Sequence, residues 1–435
     1  MSTLKQKIMD RTATLGVVGL GYVGLPLSVE KAKAGFHVVG FDVQKAKVEM
    51  VNSGHNYIGD VVAGDLEQVV QSGMLRATED FAAVASCDCV CIAVPTPLDE
   101  HQQPDISYVL TSSESIKPYM HKDMLVVLES TTYPGTTEEM LKPILESSGL
   151  KCGVDFYLAF SPERVDPGNA LYKTRNTPKV VGGVTPECTD IAAALYEAVL
   201  EAPVQRVSSP AVAEMEKILE NTYRNVNIGL INELAILCER MHINIWEVIA
   251  AAKSKPYGFQ AFYPGPGLGG HCIPLDPYYL SWKAREFGFH TSMIEASMIV
   301  NDQMPDYCTQ RAMKILNRVK KSLNGAKVLL LGVAYKQDID DYRESPALRV
   351  MDRLLAYGAE VSYFDPYVKC VLHRKQEFQS IPALTAEALE ESDLVIVTTA
   401  HTAVDYPFVA EHANLVFDTK NAMKDVINRD KIELL

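Results

Sequence analysis

Residues 263–277 read YPGPGLGGHCIPLDP and place one thiol, Cys272, in a loop of glycines and prolines. Exposed backbone N–H groups in such a loop lower a thiol pKa or stabilise an oxyanion, which makes Cys272 the candidate nucleophile. A loop cysteine without such a setting is usually inert packing. Asp276, followed by Pro277, reads either as the N-cap of the next helix or as an acid–base group near the thiol, and the two roles are compatible. Lys217, Asn221 and Arg224 recur at i, i+4 and i+7 and so share one helical face. A solvated stripe is the ordinary meaning of that spacing; near a thiol, the lysine and asparagine would stabilise an oxyanion and move a proton. Cys87, Cys89 and Cys91 alternate along one strand and read as buried packing on a single face. Neither the nine cysteines nor the ten histidines show metal-ligand spacing, so no metal is expected, and His271 is the only histidine in a suggestive place.

The second constellation is Gly19-Leu20-Gly21-Tyr22-Val23-Gly24, between an apolar strand at 14–19 and a helix-like segment reaching Lys33. Gly19 makes the tight turn, Gly21 lets backbone approach a pyrophosphate, and Gly24 allows close helix–strand packing. The helix N-terminus attracts the anion. Asp42 closes the next strand, where it can accept from both ribose hydroxyls and repel a 2′-phosphate, so NAD is favoured over NADP. A second strand–turn–helix plan, with Gly332, lacks this fingerprint and is not expected to hold a second dinucleotide, though open α/β sheets bind ligands at their strand ends.

These residues need elements to hold them. Strands are predicted at 37–41, 88–94, 124–129, 156–160 and 179–181, and again at 327–331, 360–364, 393–398 and 414–417. Alternation with helical patterns indicates βαβ units and parallel sheets. Between the two sets, Met215, Ile218, Leu219, Tyr223, Val226, Leu230, Leu234 and Leu237 recur near a 3.6 period, which predicts a helix of about 30 residues, well beyond the mean. The fold class expected is α/β: two Rossmann-like doubly wound domains, 1–205 and 311–435, joined by a central helical domain, 206–310. The 435 residues carry a net charge of −14, which argues against a general nucleic-acid binder and against docking on anionic membranes. No run reaches the ~20 apolar residues of a membrane span. The opening MSTLKQKIMDR has no apolar signal core, and the scattered, odd-numbered cysteines suit a reducing cytoplasm.

Taken together, these motifs resemble the UDP-glucose/GDP-mannose dehydrogenase family over nearly the whole chain. Further segments carry the likeness: VPTP at 94–97, ESTTYPG at 129–135, SPERV at 161–165, and YK at 335–336 with RES at 343–345. The run GHCIPLDP at 270–277 is similar to the N-acetylhexosamine branch, and SPERVDPG at 161–168 is most like its UDP-N-acetylglucosamine 6-dehydrogenases. UDP-N-acetylmannosamine and UDP-glucose dehydrogenases are the alternatives, and an NAD-binding regulatory protein is the alternative of another class. The resemblance implies that Tyr22, Val23, Asp42, Thr96, Thr131 and Arg343 contact NAD. It implies that Glu163, Arg164, Val165, Lys217, Asn221, Arg224, Phe262, Tyr263, Gly269, Tyr335 and Lys336 contact the UDP-sugar. It further implies a homodimer or higher even oligomer built on the long helix, and an active site between the domains. The chemistry implied is a four-electron oxidation of the C6 alcohol through a Cys272 thiohemiacetal and thioester. Lys217 and Asn221 would stabilise the oxyanions, Asp276 would accept the first proton with Lys217 and a water, and Glu163 would activate the hydrolytic water, with Thr131 at the catalytic end of the NAD site.

Overall fold

The computed structural model describes residues 3–435 apart from Asp60, Ala63, Pro167, Ala170 and His271. The chain forms two compact units, Met1–Glu220 with Tyr278–Phe289 and Asn221–Pro277 with His290–Leu435.

In the first unit eight strands form one sheet: β1 (Thr14–Val18), β2 (His37–Phe41), β3 (Leu75–Thr78), β4 (Cys89–Ile92), β5 (Leu125–Leu128), β6 (Tyr157–Phe160), β7 (Lys179–Gly183) and β8 (Val204–Val207). Their order is β3-β2-β1-β4-β5-β6-β7-β8, parallel throughout except between β6 and β7. The runs CVCI and LVVL are buried along their whole length, as strands covered on both faces must be. From β1 the chain moves to β2 on one side and later to β4 on the other, so the strand order reverses at β1. Gly19, Asp42, Thr96, Thr131 and Glu163 all follow the carboxyl ends of β1, β2, β4, β5 and β6. One expectation fails here. Cys87 lies before β4, not on it, and packs with Val90 and Ile92, whereas Cys89 and Cys91 pack in the opposite layer with Leu15 and Val17. The alternation holds only once the strand has begun.

The second unit holds a parallel sheet of order β10-β9-β13-β14-β15, where β9 is Lys327–Leu331, β10 Glu360–Phe364, β13 Leu394–Val397, β14 Val416–Asp418 and β15 Ile432–Leu434. A small hairpin, β11 (Cys370–His373) with β12 (Gln376–Gln379), leaves the sheet after β10. The helix Pro346–Ala356 begins as its sequence predicts, with the Ser345 hydroxyl accepting from the Ala347 N–H and proline at the first turn.

The helix Pro210–Met241 is 32 residues long. Its inward side mixes apolar residues, Ala213, Ile218, Ile231 and Ala235, with polar ones. Glu214, Lys217, Asn221, Asn225 and Asn232 are buried, while Met215, Leu219, Tyr223, Leu230 and Leu237 are exposed. The solvated stripe expected for Lys217 and Asn221 is thus overturned, since these residues are only 7% and 5% exposed. Arg224, at the edge of that face, is exposed. Burial is affordable because the polar groups are bonded. Glu214 accepts from the N–H groups of Gly135 (2.6 Å) and Thr137 (2.9 Å), and Asn232 donates to Asn301 (2.9 Å) and accepts from the Gly265 N–H (3.0 Å). No helix among the described residues is long and apolar enough to cross a membrane.

Candidate active site

The glycine turn after β1 is shaped by steric necessity. Gly19 has φ +92°, and a Cβ there would stand 2.6 Å from the Ala93 carbonyl oxygen. A Cβ on Gly24 would stand 1.8 Å from the Gly19 oxygen, so helix and turn touch backbone to backbone. Above Gly21 the space is open. The following helix, Gly24–Lys33, has no side-chain cap and no acid in its first turn, which leaves its N-terminus suited to an anion. Asp42 is aimed by the turn itself. Its Oδ2 accepts from the Leu20 N–H at 3.0 Å and its Oδ1 from the Gln44 N–H at 2.9 Å. Tyr22 is exposed and Val23 half-buried beside this turn. These residues fit a dinucleotide. Thr96 and Thr131 are half-buried in the neighbouring loops, which Ser130 joins by donating to the Val94 carbonyl at 2.7 Å. The Thr96 carbonyl accepts from the Tyr279 hydroxyl at 2.5 Å.

Glu163 is held on both sides of its carboxylate. Oε1 accepts from the N–H groups of Arg164 and Val165, each at 2.8 Å, and Oε2 from Lys179 Nζ at 3.2 Å. Lys179 also meets Glu129 at 3.1 Å, and Glu129 accepts from the Tyr196 hydroxyl at 2.7 Å and lies 3.7 Å from Lys31. Burial alone would push the Glu129 carboxyl up, but Lys179 and Lys31 outweigh it and hold it below the ordinary carboxylate range. Sequence reasoning missed this network because its members lie far apart along the chain: Lys31 in the helix Gly24–Lys33, Glu129 after β5 and Lys179 at the start of β7. The Arg164 guanidinium pairs with Glu220 and with Glu216 at 3.3 Å, on the long helix. Burial and the neighbouring Glu220 push Glu216 up to about 7 against the pull of Arg164.

In the second unit the thiol loop ends in a tight turn. The N–H groups of Leu275 and Asp276 donate to the Cys272 carbonyl at 3.1 and 2.9 Å. Cys272 is half-buried, and His271 lies outside the described residues. Asp276 is the first residue of the helix Asp276–Ala284, where the sequence placed it one position earlier as the cap. Its carboxylate is 2% exposed and accepts from Asn221 Nδ2 at 2.6 Å. Lys217 stands one turn before Asn221 on the same helix. Asn225, which the sequence reading passed over, donates to the Ile273 carbonyl at 3.0 Å, next to Cys272. Its own oxygen accepts from Ser297 (2.9 Å) and Asn301 (3.3 Å). Amides at helical spacing look solvated until their partners on another helix are known.

Gly269 and Gly270 exist for Tyr335. A Cβ on Gly269 would stand 2.7 Å from the Tyr335 Cβ, and one on Gly270 3.0 Å from its ring. Lys336, next to it, is half-buried. Arg343 is exposed and forks onto Asp341 at 2.9 and 2.7 Å. Phe262 meets the Tyr223 ring edge-on at 5.7 Å, and Tyr263 stacks on Trp246 at 6.0 Å. The structure therefore brings together Cys272, Asp276, Asn221 and Asn225, and separately Gly269, Gly270 and Tyr335; Arg224 and Arg343 stand on the surface. Among the described residues no group of His, Cys, Asp or Glu is arranged to hold a metal.

Three family models match the chain in order: the NAD-binding domain of the UDP-glucose/GDP-mannose dehydrogenases at residues 13–200, their central domain at 211–303 and their UDP-binding domain at 329–425. The chain belongs to the UDP-glucose/GDP-mannose dehydrogenase family. It is 40% identical to the UDP-N-acetyl-D-glucosamine 6-dehydrogenase of Pseudomonas aeruginosa over 355 residues, covering 81% of this chain and 83% of that one. It is 35% identical to the protein CapL of Staphylococcus aureus, covering 97% of each. A solved UDP-D-ManNAc dehydrogenase from Pyrococcus horikoshii superimposes with a TM-score of 0.88 at 30% identity, covering 97% of this chain and 98% of that one. The protein is thus an NAD-dependent dehydrogenase of UDP-sugars.

Asp42 is expected to set this dehydrogenase's cofactor choice. NADP at equal concentration should support little turnover. Asp42→Asn should narrow the gap, because it removes the charge that repels a 2′-phosphate yet keeps an acceptor for the Leu20 N–H. Comparable rates with NAD and NADP in the unmutated enzyme would sink this expectation.

Proposed function

We propose that the dehydrogenase oxidises the C6 alcohol of a UDP-N-acetylhexosamine, UDP-N-acetylglucosamine above others, to the uronic acid. The observation that carries the reaction is the Cys272 turn, whose helix starts at a buried Asp276 fixed by Asn221. The sugar rests on the relatives: the 6-dehydrogenases of Pseudomonas aeruginosa and Salmonella typhi are 40% and 36% identical, whereas the UDP-N-acetylmannosamine dehydrogenases named in the comparison reach 32–34%. The similarity to the Pyrococcus horikoshii structure favours N-acetylmannosamine as the second reading. In this reading residues 1–205 hold NAD, 206–310 make the subunit contact and 311–435 hold the UDP-sugar.

Gly19, Gly21, Gly24, Asp42, Thr96 and Thr131 would hold NAD, which would supply the hydride acceptor for the first oxidation, with a second NAD in its place for the second. Asp276, with Lys217 and a water, takes the proton of the C6 hydroxyl. An aldehyde cannot give up a hydride to become an acid until a nucleophile has added to it. The Cys272 thiolate is that nucleophile and keeps the aldehyde bound. Its sulfur forms a bond to C6, giving a thiohemiacetal whose oxidation leaves a thioester. Lys217 and the second N–H of the Asn221 amide stabilise the oxyanions. Glu163, fixed by Lys179 and two backbone N–H groups, activates the water that splits the thioester and returns the thiol. A reducing compartment such as the cytoplasm preserves that thiol.

NADH release measured against UDP-hexoses and UDP-N-acetylhexosamines tests the function. UDP-N-acetylglucosamine should give the highest kcat/KM and two NADH per sugar. One NADH per sugar would reduce the enzyme to a two-electron dehydrogenase, and preference for another sugar would move the substrate.

The exposed apolar side of the long helix supports the homodimer. Leu219 is 59% and Leu230 53% exposed in a single chain, with Met215, Tyr223 and Leu237 on the same side. Light scattering at micromolar concentration should give at least a dimer mass, and Leu230→Lys should lower it. A monomeric parent would refute the contact.

A further inference from the structure

In the second sheet the strand order reverses at β9, since the chain moves first to β10 on one side and later to β13 on the other. Ligands of open parallel sheets bind at the carboxyl ends beside such a reversal. One imidazole ties together the three loops that meet there. His401, in the loop after β13, is completely buried. The Asp338 N–H, in the loop after β9, lies 3.0 Å from its Nδ1. An accepting Nδ1 leaves the ring proton on Nε2, which donates to Asp365 Oδ2 at 3.1 Å, in the loop after β10. That Oδ2 also accepts from the N–H groups of Val333 (2.8 Å) and Ala334 (3.0 Å), while Oδ1 accepts from those of Tyr367 (2.8 Å) and Val368 (3.0 Å).

The turn gripped in this way is unusual. Asp338 is a non-glycine residue at φ +59°, a conformation that persists where the surroundings hold it. Besides its N–H to His401, its carboxylate accepts from the Thr402 N–H at 2.8 Å and hydroxyl at 3.0 Å. At the other end of the turn, Thr399 donates to the Ala334 carbonyl at 2.6 Å, and Gly332 approaches Thr399 so closely that a Cβ would stand 2.4 Å from its Cβ. Between these two anchors sit Tyr335 and Lys336, and the Tyr335 ring lies against the Gly270 backbone, two residues from Cys272.

We infer that His401 is a positioning residue for the nucleotide: it holds the 332–338 turn in the conformation that presents Tyr335 and Lys336 to the uridine diphosphate group. This rests on the reading of the second unit as the holder of the UDP-sugar. A buried histidine that merely glued the fold would meet regular elements. His401 instead grips a turn with a non-glycine residue at positive φ and a carboxylate that gathers backbone N–H groups from that turn's loop and from its own, all at the ligand end of the sheet.

Calorimetry with UDP on the full-length enzyme tests it, alongside KM, kcat, NAD affinity and the thermal transition. In His401→Ala the Kd for UDP and the KM for the UDP-sugar should rise about tenfold, the worth of one hydrogen bond to a charged group, while kcat at saturation and NAD affinity stay within about threefold. His401→Asn, whose amide oxygen stands near the place of Nδ1, should restore part of the affinity. If His401→Ala is too unstable to assay, His401→Gln decides: its amide nitrogen stands near the place of Nε2 and keeps the donation to Asp365, but it offers no acceptor to the Asp338 N–H. That variant should raise the Kd for UDP without moving the thermal transition. Unchanged UDP affinity in a folded His401→Ala or in His401→Gln overturns the inference. A parent enzyme that binds no UDP is a different result, and sinks the nucleotide reading of the unit itself.

Discussion

Cys272→Ser should abolish steady formation of the uronic acid, by about three orders of magnitude or more, as loss of a covalent nucleophile does elsewhere. A serine hydroxyl is a far weaker nucleophile without an adjacent base, so no ester takes the place of the thioester. The fold should be indifferent. The hydrogen bonds that close the turn, from the Leu275 and Asp276 N–H groups, go to the Cys272 backbone carbonyl, which serine retains. NAD binding should also persist, because the glycine turn after β1 and Asp42 belong to the other compact unit. Stopped NADH release with product detected by mass spectrometry checks the first claim, and a thermal scan with NAD titration the second. Intact-mass analysis of the parent with substrate and NAD should trap an adduct on the peptide carrying Cys272. A serine variant that makes the acid at the parent rate would overturn the mechanism.

The residues that announce this chemistry were readable because each is forced by local sterics or by a short motif. Gly19 and Gly24 leave no room for a side chain, and Ser345 with Pro346 starts a helix by a rule that needs no tertiary context. What escaped the sequence is what depends on partners far along the chain. β3 (LRAT) and β8 (VQRV) carry charged or polar residues because each lies at an edge of the sheet, so neither shows an apolar run. The antiparallel β6–β7 pair cannot be told from a parallel one by residue type. The long helix shows the limit most clearly. Its period was evident over its full length, but period alone does not say which stripe faces inward. Leu219 and Leu230 belong to the recurring apolar positions and are exposed, while Asn225 and Asn232, which carry no motif, are buried. The amides are buried because Asn225 finds Ile273, Ser297 and Asn301, and Asn232 finds Asn301 and Gly265. Lys217 and Asn221 belong to that same buried stripe.

Asn221→Asp should then be the second most damaging change, although it alters a single atom type. The amide donates to Asp276 Oδ2 at 2.6 Å between two side chains that are 5% and 2% exposed. Aspartate at that place accepts but cannot donate, and it sets two carboxylates at hydrogen-bond distance in a dry site. Like charges so close cannot both ionise, so the pair retains a proton and one carboxyl is raised above the ordinary value of about 3.9. A carboxyl raised in the folded state contributes stability below its unfolded pKa, and that contribution is lost as pH rises through the folded value. The variant's thermal transition should therefore approach that of the parent near pH 4 and fall progressively behind it toward pH 8. Activity at neutral pH should drop by roughly 10²–10³-fold, the usual cost of one oxyanion donor, with the loss in kcat and not in NAD affinity. Asn221→Ala separates the two effects. It removes the same donor without adding a charge, so it should lose comparable activity while its stability deficit stays flat across the same pH range. An Asn221→Asp enzyme whose deficit does not grow with pH would show that Asp276 is not the partner this argument requires. One that keeps parent kcat would remove Asn221 from the chemistry.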